Sequence, residues 1–143
     1  MSINLNNGIK GRTDGAAVTA GYVGESINFT RQTVTVSSTV TYYSNSTPVV
    51  TLTPGIWLIM PRYYLGVAAT TFGLLLSTSS TPGVGALSDA LQANGDASNR
   101  LFIPGNAFVY TATTTTPLYG SSYCYGPVLF ASSDVDGVAI RIA

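Results

Sequence analysis

Histidine is absent from this chain, and cysteine, lysine and tryptophan occur once each, as Cys124, Lys10 and Trp57. Without an imidazole there is no Ser-His-acid triad and no base to activate the lone thiol, which reads as a small buried hydrophobe. A single cysteine also excludes an intrachain disulfide. The Cys/His clusters that hold zinc are missing, as are a Gly-x-Ser-x-Gly elbow and a glycine-rich phosphate loop ending in lysine. No cofactor is expected.

Charge is scarce as well. Charged residues make up 8% of the 143, against a usual ~25%, and six basic side chains balance six acidic ones. A chain with zero formal net charge has no basic field to draw in nucleic acid and no polybasic patch for an anionic membrane. The longest apolar stretch, Ile56 to Met60, ends at Pro61 and Arg62. That is far short of the ~20 residues that a spanning helix needs. The opening MSINLNNGIKGRTDG carries no basic segment followed by an apolar core, so no Sec-type signal is expected in it.

What the chain has instead is 45% hydrophobic and 10% aromatic residues, which sets it apart from unfolded sequences. Gly and Pro punctuate segments rich in Val, Ile, Thr, Tyr and Phe, the pattern of an all-β sandwich or barrel. Thr33–Val36 and Thr39–Tyr42 alternate strictly, as do Val50 and Leu52 with their threonines, so each is expected to be a half-buried strand. Ile56–Leu65 reads as a central strand after the Pro54-Gly55 turn. Phe72–Ser77, Leu101–Ile103, Phe108–Thr113, Val128–Ala131 and the alternating Val138, Ile140 and Ile142 follow, giving about eight strands. Ser132–Gly137, SSDVDG, reads as a turn, and Leu87 with Leu91 predicts a short helical turn inside a long loop. Residues 1–20 look like an N-terminal arm or connector, and residues 21–143 like a single β domain.

The central strand has one further consequence. Trp57, Ile59 and Pro61 fall on one face, and Ile56, Leu58 and Met60 on the other. A strand apolar on both faces needs cover on both. A sandwich interior supplies one cover, and a chain of this length has little left to supply the second. Another copy of the chain is the expected cover, consistent with the tendency of weakly charged proteins to associate.

For chemistry, the acids beyond the first twenty residues are Glu25, Asp89, Asp96, Asp134 and Asp136. A pair of them would suffice for glycoside hydrolysis, although solvated turns account for the aspartates equally simply. Asp134-Val-Asp-Gly137 resembles the start of a calcium loop but lacks its downstream acidic ligands. Nine tyrosines are more distinctive. Tyr42 and Tyr43, Tyr63 and Tyr64, and the cluster Tyr119, Tyr123 and Tyr125 are candidate amphipathic surfaces for a sugar or protein partner. The competing reading sends one ring of each adjacent pair into the core or a subunit contact.

The segment GYVGESI, Gly21 to Ile27, followed by LTPGIWLI, Leu52 to Ile59, resembles bacteriophage tail-fibre and related virion proteins. The C-terminal part is similar in kind, with TPLY at Thr116–Tyr119, a glycine turn and Arg141 near the end. The resemblance implies an antiparallel jelly-roll-like β-sandwich, assembled as a homotrimer on a virion. There it would attach to a host-surface glycan or protein, or else decorate and stabilise the capsid among other virion proteins. The motif is structural and carries no catalytic residue. Gly21 and Gly24 suit a tight turn, Glu25 suits pairing with Arg141 or Arg62, and Trp57 suits a core anchor. Three functions thus compete: an attachment module, a capsid or head-fibre decoration, and a carbohydrate-cleaving enzyme, with a non-enzymatic role expected.

Overall fold

The computed structural model describes residues 22–36, 42–87, 91–93 and 101–143. The expected arm over residues 1–20, Gly21 and the start of the strand expected at Thr39–Tyr42 lie outside the described residues. The described chain is all β. In order it forms β1 (Ser26–Asn28), β2 (Gln32–Val36), β3 (Tyr42–Ser44), β4 (Val50–Leu52), β5 (Gly55–Ser77), β6 (Leu91–Ala93), β7 (Leu101–Pro104), β8 (Phe108–Ala112) and β9 (Thr116–Arg141).

Two long strands organise the rest. β5 and β9 pair antiparallel from Trp57↔Arg141 to Ser77↔Tyr119, with register shifts around Ala69. Along the free edge of β9, β4, β3, β2 and β1 pair in turn, from Leu52↔Thr116 to Ser26↔Ile140. Along the free edge of β5 lie β8, β7 and β6, from Gly55↔Ala112 to Leu74↔Leu91. Every pairing is antiparallel, and the strands fall into two sheets, consistent with a β-sandwich.

The core is where the two halves of the long strands face each other. Trp57, Ile59, Tyr63, Val135 and Ala139 come from one end of the β5–β9 pair, and Leu74, Leu76 and Leu118 from the other; together they form one buried cluster with Val49 and Leu52. Two-residue alternation accounts for this selection: Trp57, Ile59, Pro61 and Tyr63 are buried, whereas Ile56, Leu58, Met60 and Tyr64 are only partly so. At about 25 cal/mol per Å² of apolar surface removed from water, this alternation is the main driving force of the fold.

Three expectations need correction. Ile56–Leu65 and Phe72–Ser77 are not separate strands but stretches of β5, because the Gly-Val-Ala-Ala-Thr-Thr between them keeps pairing with β9. Ser132–Gly137 is strand rather than turn: Asp134 and Asp136 alternate with buried Val135 and Gly137 and meet arginines on the outer face, so their polarity marks a face and not a reversal. Leu91–Ala93 is also strand, paired with Phe72–Leu74, so cross-strand pairing overrides the helical spacing of Leu87 and Leu91.

Candidate functional site

The two motif segments meet in one buried junction. The Tyr22 carbonyl accepts from the Glu25 N–H at 3.0 Å, closing a turn in which Gly24 has φ 90°. Glycine adopts that conformation at no steric cost, as at the third position of a type II turn. The turn delivers the Gly24 N–H to the Arg141 carbonyl, and the Arg141 N–H donates back to Glu25, both at 2.8 Å. The Arg141 side chain then reaches three acceptors. Its Nε donates to Glu25 Oε2 at 2.9 Å, and its terminal nitrogens donate to the Pro54 carbonyl and the Thr53 hydroxyl. Both ion-pair partners are buried. This junction joins the start of β1, the Thr53-Pro54-Gly55 reversal and the end of β9. Its donors and acceptors are engaged with one another, so the arrangement serves architecture rather than chemistry.

Asp134 and Asp136 stand two residues apart on the outer face of β9. Arg31 Nε donates to Asp134 Oδ2 at 2.9 Å, its second nitrogen reaches the same oxygen, and Thr33 Oγ1 donates to Oδ1 at 2.7 Å. Hydrogen bonding to Asp134 holds the Arg31 guanidinium above its ordinary pKa. Arg62 Nε donates to Asp136 Oδ1 at 2.7 Å. Each carboxylate is held in an ion pair, which suits a structural surface better than a calcium loop or a pair of hydrolytic acids. Glu25 lies elsewhere, in the junction with Arg141. Asp89 and Asp96 lie outside the described residues.

The tyrosines define a different surface, at the opposite end of the β5–β9 pair. Across β3, β9 and β5 the register runs Tyr42–Tyr123–Gly73, then Ser44–Ser121–Leu75, with Tyr119 opposite Ser77 in the next row. The ring of Tyr123 lies against Gly73, where a Cβ would fall 2.2 Å from it, and its centroid is 6.0 Å from that of Tyr42. Tyr119 and Tyr123 share this outer face with Ser121 between them and are half-buried, whereas Tyr42 is 41% exposed. Tyr125 lies further along β9, opposite Thr71.

A loop completes the surface. Residues 78–85 fold back beside it, held by Ser77, whose hydroxyl donates to the Val84 carbonyl at 2.6 Å, with the Ser79 carbonyl 2.9 Å away as the alternative acceptor, and accepts from the Ser79 N–H. The loop places Val84, 52% exposed, across from Tyr42. Between them opens a small, shallow cleft of about 20 Å³, lined by Leu75, Ser77 and Ser121. Ser121 shares a short hydrogen bond with Ser44. Tyr42 and Val84 are thus exposed large hydrophobic side chains of a surface that the sequence marks mainly by Tyr119, Tyr123 and Tyr125. Val84 gives no signal in sequence beyond its place in a Gly-rich loop.

No known family model matches this chain, and no curated protein matches it.

Proposed function

We propose that this protein is a non-catalytic structural module of a bacteriophage virion, acting as a homotrimer that attaches to the host surface through its tyrosine-bearing face. The observation that carries this reading is the pairing of exposed Tyr42 with Tyr123 beside the shallow cleft under Val84. Rings of this kind bury area at low entropic cost, and neighbouring hydroxyls give direction to a weak contact. In a closed ring of identical subunits such a contact is multiplied by avidity.

The strand pairing supports a jelly-roll arrangement for the module. If the long strands bend near their midpoints, residues 26–36, 131–141, 55–66 and 101–112 become neighbours in that order in one sheet. Residues 42–52, 116–125, 71–77 and 91–93 become neighbours in the other. That order is the double Greek key of a jelly roll. The junction of Glu25, Thr53, Trp57 and Arg141 supports the virion resemblance, because it joins both halves of the GYVGE and LTPGIW pattern in one structural unit.

The test is co-sedimentation of fluorescently labelled protein with cells of the host strain. The expected result is a bound fraction that drops at least ~10-fold in Tyr42→Ala, a loss of about 1.4 kcal/mol or more in overall binding, with unchanged thermal unfolding. Protein that ignores cells but is located by electron microscopy on the particle shell would overturn the attachment role in favour of capsid decoration.

A further inference from the structure

We propose that copies of this chain meet through the outer face of β5 between Ile56 and Tyr64, together with the strands beside it; this rests on the homo-oligomeric reading and assigns it a surface. Four transverse rows make up the face. Val109, Leu58, Ile140 and Ser26 lie side by side in the first, and Met60, Val138 and Asn28 in the second. The third is Arg62 opposite Asp136, and the fourth is Tyr64, Asp134 and Thr33. The guanidinium of Arg31 closes the fourth row, 4.5 Å from the centroid of the Tyr64 ring.

Among the described residues, the apolar rows remain open to water. Val109 is 60% exposed, and Leu58, Met60, Val138 and Ile140 are all partly open to water. Ile142, hydrogen-bonded through its N–H to the Ile56 carbonyl, extends the patch and is itself exposed. A contiguous apolar surface bordered by polar groups is the anatomy of a protein contact.

Charge selects the occupant. The face holds Arg31 and Arg62 against Asp134 and Asp136, two positive and two negative charges, so its net charge is zero. Nucleic acid or anionic lipid would need a positive excess, and a partner of one sign would meet as much repulsion as attraction. A second copy carries the same apolar rows and the same two signs. In a three-fold ring the aspartates of each copy can approach the arginines of the next, while the apolar rows around the axis lose their water together. Opposed charge rows of this kind set register between subunits.

The test is light-scattering mass over a dilution series from micromolar concentration downward, on the full chain and on Val109→Asp and Ser26→Arg. Both substituted side chains are exposed, so the strand pairing is expected to survive, as checked by circular dichroism. The expected result is an oligomeric wild type and a dissociation constant raised at least ~10-fold in each variant, equivalent to about 1.4 kcal/mol. If one variant fails to fold, the other decides. A folded variant as oligomeric as the wild type overturns this face while leaving the homo-oligomer intact. A wild type with the mass of one chain at micromolar concentration overturns both.

Discussion

The guanidinium of Arg141 lies over the indole of Trp57, 4.4 Å from the ring centroid, and both side chains are anchored to Thr53. Trp57 Nε1 donates to the Thr53 carbonyl at 2.9 Å, and Arg141 donates to the Thr53 hydroxyl. One residue of the reversal before β5 thereby fixes the tryptophan that fills the core and the arginine that closes the chain's last strand. A desolvated cation over an indole contributes on the order of 2 kcal/mol. Its larger effect is to hold three distant segments in register.

Arg141→Met is expected to destabilise the fold by about 3–5 kcal/mol, because Glu25 would keep its burial and lose its ion pair with Arg141. Urea unfolding followed by the fluorescence of Trp57, the only tryptophan, measures it. Adding Glu25→Gln to that variant should recover part of the loss, because the stranded charge is removed. A cost below about 1 kcal/mol for Arg141→Met would place the pair in the class of solvent-screened surface bridges.

Gly55→Ala is expected to cost roughly 1–3 kcal/mol, the range for a residue forced into a rarely populated backbone conformation. Gly55 has φ 154°, and a Cβ there would fall 1.9 Å from Arg141 Nη1 and 2.9 Å from the Ala143 carbonyl oxygen. Part of this cost comes from the arginine head, so Gly55→Ala should cost less in an Arg141→Met background. A double-mutant cycle reads the difference directly, and strict additivity would show that backbone conformation alone sets the cost.

Alkaline stability should depend on Tyr63. Burial disfavours its phenolate and pushes its pKa well above the ordinary phenol value. Above about pH 10 an unfolded chain releases this proton while the folded chain keeps it. Stability is therefore fully present below pH ~10 and falls as pH rises further. Tyr63→Phe removes the proton in question, so its unfolding free energy should fall less steeply between about pH 9 and 11.5 than that of the wild type. Parallel slopes would show that other groups control alkaline unfolding.

Strand positions were legible wherever burial on one face produced alternation. Trp57 and Ile59, and Val138 and Ile140, each take opposite environments from their neighbours, buried Val50 and Leu52 flank exposed Thr51, and a two-residue period is visible in sequence. The polar composition of Ser132–Gly137 concealed a strand, because the arginines that neutralise Asp134 and Asp136 come from positions about 70 and 100 residues away. The Tyr42–Val84 cleft was illegible for a similar reason. Val84 comes to line the cleft with Tyr42 because hydrogen bonds from Ser77 and Thr78 hold the loop that carries it, and no local pattern announces such bonds.

The residues by themselves determined the all-β character, the absence of histidine, and a central strand greasy on both faces, since these follow from composition and short-range periodicity. Only the tertiary structure decided that Glu25 partners Arg141 while Arg62 partners Asp136, that two strands run through what read as breaks, and that the outer face of β5 lies beside balanced charges. Those outcomes depend on contacts between residues far apart in the chain, and antiparallel register, not sequence spacing, brings them together.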